Sequence, residues 1–385
     1  MAVYSAFHWT TTLFLHIGGI FPRKNPKFLY CLLSYSYLLA NSMTIVGLLG
    51  FVMAHTADML LVVRGMSIII TLVSVGLKLS YMIAYRKRTA ELYEILDRSW
   101  SEALNDERLS DVVLSGVATI RRLSWTLILG VMILATMSIV KPGLKYAHQK
   151  HDNTTTMNYP LIYPGIYPWS ITNVVVYRIH YLIESIAASS ILIIPAGTDS
   201  LFPLYIFQMI GQLRVMAYRL THLKDQQNVK MIIKECARQY KVLLMCQHSM
   251  QEIFGPWILW MVGTSAAVQC ALIFQLSQTA KDLSVEQWVM TICHLIPKLT
   301  QTYIYSWSGT ALITESEQYR EAVYGVNWFS NKNIMSSIII MLSQKTLKLT
   351  ACKFLLVSVE IFAVIMKTTV SYFFLLRTLD PEPPS

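Results

Sequence analysis

Long apolar runs alternate along the chain with shorter polar segments. A helix needs about 20 mostly apolar residues to cross the hydrocarbon core of a bilayer. Seven runs reach roughly that length. The predicted spans are residues 28–52, 59–84, 121–140, 171–195, 255–277, 286–309 and 352–377. The pattern therefore predicts an all-α polytopic membrane protein with seven transmembrane helices.

Two further apolar segments affect this count. The segment LFPLYIFQMIGQLRVMAYRL begins at Leu201. We interpret it as a continuation of the fourth helix rather than an extra crossing, with Pro195 and Pro203 marking kinks that neighbouring helices can accommodate. The segment NIMSSIIIML (333–342) is too short to span. We expect it to be half of a broken last helix or a cytoplasmic packing helix.

The composition indicates that the bilayer is the main solvent of this chain. Of the 385 residues, 54% are hydrophobic and 14% are charged, whereas a soluble domain has about 25% charged residues. The net charge of +10 would also suit a nucleic-acid-binding protein. In a chain this apolar, the positive net charge is better explained by Lys and Arg that gather on the cytoplasmic side of a membrane. We therefore expect a lipid bilayer and no nucleic acid as partner.

The distribution of positive charge predicts the orientation. With a cytoplasmic N-terminus, 22 of the 32 Lys and Arg lie in cytoplasmic segments or at the cytoplasmic ends of spans, 6 lie in outer segments or at the outer ends of spans, and 4 lie deeper within spans. This imbalance favours a cytoplasmic N-terminus and, after seven spans, an extracellular C-terminus. It disfavours a G-protein-coupled receptor, whose N-terminus is extracellular. No cleavable signal peptide is expected, because the first basic residues follow the first apolar stretch.

This topology divides the chain into five regions. They are a cytoplasmic N-terminal segment (1–27), a six-helix transmembrane bundle (28–309), a cytoplasmic anchor segment (310–350), the last helix (351–379) and a short extracellular tail (380–385). The sequon at Asn153 falls in the loop between the third and fourth spans, which this topology places outside. It predicts a glycosylation site at Asn153.

Sequence motifs give no support to an enzyme. The six cysteines form no CxxC pair, and the sequence contains no HExxH, GxSxG or Walker-type motif. We therefore expect no metal, no cofactor and no catalytic residues. A secondary transporter is an alternative class, since Arg178 and Glu184 lie within the fourth span. An odd number of spans without an internal repeat disfavours it.

A polar stripe runs along one face of the last predicted helix. Its members follow one another at steps of three or four residues, which keeps them on one side of a helix. They are Glu360, Val364, Lys367, Ser371, Leu375 and Thr378. The stripe is either a polar seam packed against a neighbouring helix or the wall of a water-filled pore. In the second case Leu375 and Leu379 could form a hydrophobic constriction, and several subunits must surround the pore axis.

Residues 308–379 resemble the C-terminal signature of insect odorant receptors. The similar features are the pair Glu315-Ser316, Tyr324 with Trp328, the segment SQKTLKLTACKF and the closing KTTVSYFFLLRTL. The GTDSLF at 197–202 is also similar to the fourth helix of that family. The rest of the chain resembles it mainly in topology and length.

The resemblance implies an odorant-gated, non-selective cation channel of four subunits. In that family a tuning receptor assembles with a shared co-receptor in the plasma membrane of olfactory sensory neurons. The compact loop between the fourth and fifth spans suggests the tuning subunit. The related gustatory receptors share the architecture, but the closer match upstream of the C-terminus favours the odorant branch.

The resemblance also implies roles for particular residues. The last helix lines the pore, with the gate at Leu375 and Leu379, Thr378 beside it, and Ser371 and Lys367 along the wall. Lys367 is unexpected on the wall of a cation pore. The late helices form the subunit anchor on the cytoplasmic side. Tyr324 and Trp328, one turn apart on a predicted helix, are expected to pack that anchor.

A small volatile organic ligand would need an aromatic and Met-lined cavity with few polar groups. The outer halves of the second, third, fourth and sixth spans supply eight candidates, although aromatic and Met residues at helical spacing are usually packing residues. These candidates are Met66, Ile70, Ile133, Met137, Tyr177, His180, Tyr181 and Trp288. The proline-rich loop NYPLIYPGIYPW (158–169) could close over the cavity as a lid or rest at the lipid headgroups.

Overall fold

The computed structural model describes residues 2–24, 26–151, 160–169, 173–223, 229–278, 285–326, 328 and 332–379. Within them the fold is helical apart from one short hairpin. The helices are α1 (Ala2–Ile17), α2 (Phe28–Ala54), α3 (Met59–Ala84), α4 (Arg86–Leu104), α5 (Glu107–Leu114), α6 (Val117–His151), α7 (Val174–Thr221), α8 (Val229–Gln278), α9 (Val285–Tyr324), α10 (Lys332–Ser343) and α11 (Val359–Leu379). The hairpin strands are β1 (Thr350–Ala351) and β2 (Leu355–Leu356). The all-α prediction is confirmed.

The predicted spans fall on long helices of the structure. Among the described helices, α2, α3, α6, α7 and α8 are long and apolar enough to cross a membrane. The sixth predicted span falls on α9 and the seventh on α11. The two ends of the bundle are here called the cover end, where α2 ends and α3 begins, and the anchor end, where α3 ends and α4 begins. Asn153 and the predicted tail 380–385 lie outside the described residues.

Helix α7 is the centre of the fold. It packs against α1, α2, α3, α4, α5, α6, α8 and α9. Nearly every side chain from Ile194 to Leu213 is buried, which a helix tolerates only if neighbours surround it on all sides. Pro195 and Pro203 lie inside this one continuous helix. The segment from Leu201 onwards therefore continues the fourth helix, as the sequence suggested.

The last helix begins later than predicted. Residues 344–358, here called the strap, run between α8 and α9 in an irregular, largely extended form. Cys352 and Lys353 have φ of 52° and 65°, which turns the chain so that β2 pairs with β1. The expected helix start at 351 or 352 was therefore wrong, and α11 begins at Val359. Apolar composition alone could not reveal this turn.

Side chains of α8 hold the strap in place. The hydroxyl of Tyr240 donates to the carbonyl of Lys345 over 2.7 Å, and the amide of Gln251 donates to the carbonyl of Lys348 over 2.9 Å. On the α9 side, the backbone N–H of Leu347 donates to the hydroxyl of Ser316 over 2.9 Å. Backbone groups that lack a helix ladder must find such partners when they are buried. The strap is thereby joined to both long helices.

Glu315, the neighbour of Ser316, links α9 to two other helices. Its carboxylate pairs with the guanidinium of Arg214 on α7. The same guanidinium donates to the carbonyl of Ser115, just past the end of α5, over 2.7 Å. The Glu-Ser pair of the C-terminal signature therefore has two structural roles at the anchor end: Glu315 secures α7 and α5, and Ser316 secures the strap.

A glycine on α9 lets the strap approach closely, and its replacement tests that packing. A Cβ at Gly309 would overlap the carbonyl of Val357, whereas a Cβ at Gly263 on α8 would meet no atom within 4 Å. We expect Gly309→Ala to reduce the free energy of unfolding by about 1–3 kcal/mol through overpacking. The matched change Gly263→Ala should be neutral or stabilise by up to about 1 kcal/mol through helix propensity.

The measurement is the midpoint of thermal unfolding in detergent for the parent chain and both variants. Equal midpoints for Gly309→Ala and Gly263→Ala would show that the strap does not pack against α9 as closely as described.

Candidate functional site

A cavity of about 530 Å³ lies inside the bundle toward the cover end. Its walls come from α3, α6, α7, α8 and α9, and residues 160–164 lie across it. The lining is apolar for the most part, with Leu134, Ile191 and Leu272 among its members, and it carries a small number of polar groups. This size and chemistry are typical of sites for small organic molecules.

Residues 160–169, here called the cover segment, are held down by a buried carboxylate. Glu184 on α7 is completely buried. It accepts hydrogen bonds from the backbone N–H of Ile162 at 2.7 Å, from the N–H of Tyr163 at 3.3 Å and from the hydroxyl of Tyr167 at 2.8 Å. Hydrogen bonds to a charged acceptor are about twice as strong as neutral ones. Glu184 therefore fixes the cover segment against α7.

The other side of the cover segment rests on α2. The N–H of Ile166 donates to the carbonyl of Gly47 over 2.9 Å. A Cβ at Gly47 would overlap the ring of Tyr167, and a Cβ at Gly50 would overlap the carbonyl of Ile166. The two glycines thus leave a shallow groove in which the cover segment lies.

The floor of the cavity is a buried cluster around Asp199 on α7. Its carboxylate accepts from the ammonium of Lys78 on α3 at 2.5 Å, and from the amide of Gln301 and the hydroxyl of Tyr305 on α9 at 2.5 and 2.7 Å. The indole N–H of Trp257 on α8 donates to the hydroxyl of Tyr305 over 3.2 Å. The cluster therefore joins four helices at one point.

None of the eight predicted ligand residues lines this cavity. Tyr177 and Tyr181 instead hold parts of its frame, because their hydroxyls donate to the carbonyls of Pro160 and Ile139. His180 lies 3.4 Å from Glu184 through its Nε2 and is buried. The other five of the predicted set are at least partly exposed on the protein surface: Met66, Ile70, Ile133, Met137 and Trp288. The cavity lies among the predicted helices, but other residues of those helices line it. Several faces of each helix are apolar, so the sequence pattern did not single out the lining residues.

The sequence did contain a signal for the residues that were missed. Lys78 and Lys298 are charged residues inside predicted spans, and Asp199 belongs to the GTDSLF segment. Charged side chains within spans usually face protein or water rather than lipid. That rule would have directed attention to the cavity floor.

The polar stripe of α11 lies on the exposed side of the helix. Glu360, Lys367, Ser371 and Thr378 are exposed, and Leu375 is 55% exposed. The side chain of Leu379 lies outside the described residues. The opposite face is packed, since Ile365 and Thr369 are buried. The stripe is therefore not a seam packed against a neighbouring helix of this chain, and it lies exposed on the surface.

A chain of hydrogen bonds leads from the cavity wall to α11. Gln269 on α8 follows the lining residue Val268, and Thr302 on α9 follows the lining residue Gln301. The amide of Gln269 donates to the hydroxyl of Thr302 over 3.3 Å, and its carbonyl accepts from the hydroxyl of Thr369 over 3.2 Å. Gln269 and Thr369 are both completely buried. The packed face of α11 is thereby connected to two walls of the cavity.

Tyr324 and Trp328 lie at the anchor end but are not both on a helix. Tyr324 is the last residue of α9 and is 61% exposed. Trp328 lies beyond the helix end, where its indole N–H donates to the carbonyl of Tyr324 over 3.3 Å and its ring packs against the main core. Trp328 thus stabilises the subunit itself, whereas the Tyr324 ring is available at the surface.

Comparisons with known proteins give a consistent result. A family model described as 7tm odorant receptor matches residues 58–370. Odorant receptor 13a of Drosophila melanogaster is 24% identical over 244 residues, which cover 58% of each chain, and odorant receptor 47a is 24% identical over 260 residues, which cover 64% of each. The odorant receptor coreceptor of Anopheles gambiae is 26% identical over 160 residues, 40% of this chain and 33% of that protein. The matches span less than two thirds of the relatives' length.

Solved structures share the fold across the whole chain. The insect olfactory receptor OR5 from Machilis hrabei superposes with a TM-score of 0.76 at 12% identity, covering 99% of this chain and 100% of that chain. The same receptor in complex with eugenol gives a TM-score of 0.77 at 13% identity, covering 98% and 99%. At this identity the likeness establishes the fold.

The role of Glu184 can be tested by hydrogen exchange. We expect Glu184→Gln to speed exchange of the Ile162 and Tyr163 amides by about 10- to 100-fold, because a charged acceptor is lost. Ser185→Ala is the matched control on the same helix, since the Ser185 hydroxyl donates only to the carbonyl of Tyr181 in its own helix. Unchanged exchange in Glu184→Gln would contradict this role.

Proposed function

The chain belongs to the 7tm odorant receptor family, and on this premise we propose that it is the ligand-binding subunit of an odorant-gated, non-selective cation channel. The family is one of receptors rather than enzymes. The matches to odorant receptors 13a and 47a cover far more of those proteins than the match to the co-receptor does. This coverage supports a tuning receptor rather than the co-receptor, and the match to the odorant receptor model supports the odorant branch.

The proposed topology has seven spans, with the N-terminus in the cytosol and the C-terminus outside. The spans are α2, α3, α6, the first half of α7, the second half of α8, the first half of α9, and α11. The anchor end is then cytoplasmic and the cover end extracellular. Five helices of sufficient length and hydropathy support this arrangement, as does the excess of Lys and Arg in the segments assigned to the cytosol. The proposed location is the plasma membrane of olfactory sensory neurons.

We assign odorant binding to the cavity beneath the cover segment. Its volume of about 530 Å³ and mainly apolar lining suit a small volatile molecule. The Machilis hrabei receptor, which shares the fold, was solved in complex with eugenol. The cover segment would enclose the ligand, and Glu184 would keep it in place.

We assign ion conduction to the exposed face of α11. One helix cannot enclose a pore, so the proposal requires a tetramer in which this chain and co-receptor subunits place their last helices around one axis. Ser371, Leu375 and Thr378 would face the pore, with the gate at Leu375 and Leu379. The positive charge of Lys367 would be diluted, because the other subunits place different residues around the pore. Tyr324, exposed at the anchor end, would contact a neighbouring subunit.

The single observation that carries this proposal is the connection between the cavity walls and the packed face of α11 through Gln269. Its amide donates to the hydroxyl of Thr302, which follows the lining residue Gln301 on α9, and its carbonyl accepts from the hydroxyl of Thr369 on α11. A ligand that shifts α8 or α9 would therefore shift α11. A channel gate can respond to a ligand only if some packed element has different arrangements in the two states.

Whole-cell current tests the proposal. The chain is expressed with an insect odorant co-receptor, and the cells receive a panel of volatiles, with a co-receptor agonist as control. We expect a volatile-evoked cation current that requires both subunits. A chain that reaches the surface, supports the agonist current and responds to no volatile would contradict the receptor assignment. Steady uptake of a solute without current would indicate a transporter instead.

The pore face can be tested with introduced cysteines. We expect Ser371→Cys to make the current sensitive to a charged thiol reagent, because the modified side chain would obstruct the pore. Val370→Cys is the matched control, since Val370 is 48% exposed but lies off the stripe. The parent chain reports the background from native cysteines. Equal block of the two variants, or none in Ser371→Cys, would rule out this pore face.

A further inference from the structure

Cations outnumber anions in the cavity lining. The positively charged lining residues are Arg64, Lys78, Lys141 and Lys298. Asp199 carries the only carboxylate among the described lining residues. A cavity within a membrane bundle has a low dielectric constant, so an excess of like charge is unfavourable unless an anion enters.

Asp199 is already occupied by other partners. One of its oxygens accepts from Lys78 at 2.5 Å and from Tyr305 at 2.7 Å. The other oxygen accepts from Gln301 at 2.5 Å. The charge of Asp199 is therefore balanced by Lys78, and its hydrogen-bonding capacity is largely used.

Lys298 is the cation on the floor that has no such partner. In the described part of the chain its ammonium donates to the neutral side-chain carbonyl of Gln301 over 3.1 Å and forms no ion pair. The amide of Gln301 is oriented by Asp199, which turns its carbonyl toward Lys298. An ammonium has three donors, so two remain for a molecule in the cavity. His294, one turn before Lys298 on α9, also lines the cavity.

Other residues of the cavity suit the hydrocarbon part of an acidic ligand and its attraction into the cavity. Val131, Leu134, Ile191 and Leu272 offer an apolar wall for a hydrocarbon chain. Arg64, which is exposed on the first turns of α3, lies nearer the cover end than Lys298 does. A positive group near the mouth of a cleft raises the local concentration of anions.

We propose that the cavity prefers volatile carboxylic acids, bound as carboxylates that pair with Lys298 while the hydrocarbon chain lies against the apolar wall. The inference rests on the proposed function, because it takes the cavity to be the odorant site. It adds the chemical class of the ligand and the residue that selects it. A carboxylate would supply the negative charge that Lys298 lacks within the protein.

The test compares three probes with the same carbon chain: hexanoic acid, methyl hexanoate and 1-hexanol. Each is applied to cells that express the chain with a co-receptor, and the concentration for half-maximal current is measured. We expect hexanoic acid to act at about 10- to 100-fold lower concentration than the other two, as a charge-assisted contact would produce. In Lys298→Met the three concentrations should converge, and in Lys298→Arg the preference for the acid should return.

Lys87→Met is the matched control, because Lys87 is exposed on α4 and does not line the cavity; it should keep the preference of the parent chain. The co-receptor agonist current shows that each variant has folded and assembled. If the ester or the alcohol is as potent as the acid, or if Lys298→Met keeps the preference, this inference is wrong while the receptor assignment stands. If no volatile evokes a current although the agonist does, the proposed function is contradicted and this inference with it.

Discussion

A carboxylate inside a membrane bundle must find its partners within the protein, because lipid offers none. Asp199 meets this requirement with Lys78, Gln301 and Tyr305, each within 2.7 Å. Those partners come from α3 and α9, and Trp257 extends the cluster to α8. Removing one partner of a buried charged group leaves the other uncompensated, so the cluster constrains how the four helices can be arranged. The cavity lies between this cluster and the cover segment, since residues of both line it.

Three charged side chains along helix α7 find their partners within the protein in the same way. Glu184 near the cover end accepts from the cover segment, Asp199 in the middle joins the transmembrane helices, and Arg214 near the anchor end pairs with Glu315 and reaches the end of α5. Each charged side chain secures a different part of the molecule to one helix. Since α7 is surrounded by neighbours, these three positions attach the cover segment, the transmembrane helices and the end of α5 to the centre of the fold.

The last helix, α11, is packed against the chain on one face and exposed on the other. Helix α11 contacts α8 and α9, and Thr369 is one of the points where it is hydrogen-bonded to them. Its polar stripe remains exposed, as does the ring of Tyr324. In the proposed assembly these surfaces meet other subunits, while the packed face of α11 receives changes from the cavity walls. The strap supports this arrangement, because its side-chain hydrogen bonds to α8 and α9 hold the start of α11 at a defined place.

The sequence by itself determined the helices and their polarity. Apolar length identified the regions of α2, α3 and α6, the continuous pattern after Pro195 indicated that α7 runs on, and the steps from Glu360 to Thr378 placed the stripe on one face of α11. These are local properties, which follow from helix period and hydrophobicity. Only the tertiary structure decided which apolar face of each helix turns inward, so the predicted ligand residues Met66 and Ile133 lie outside the cavity. It also decided the pairing of Asp199 with residues from 102 to 121 positions away, and the turn at Cys352 that delays the last helix. Such contacts depend on chain segments that are distant in sequence, and no local pattern encodes them.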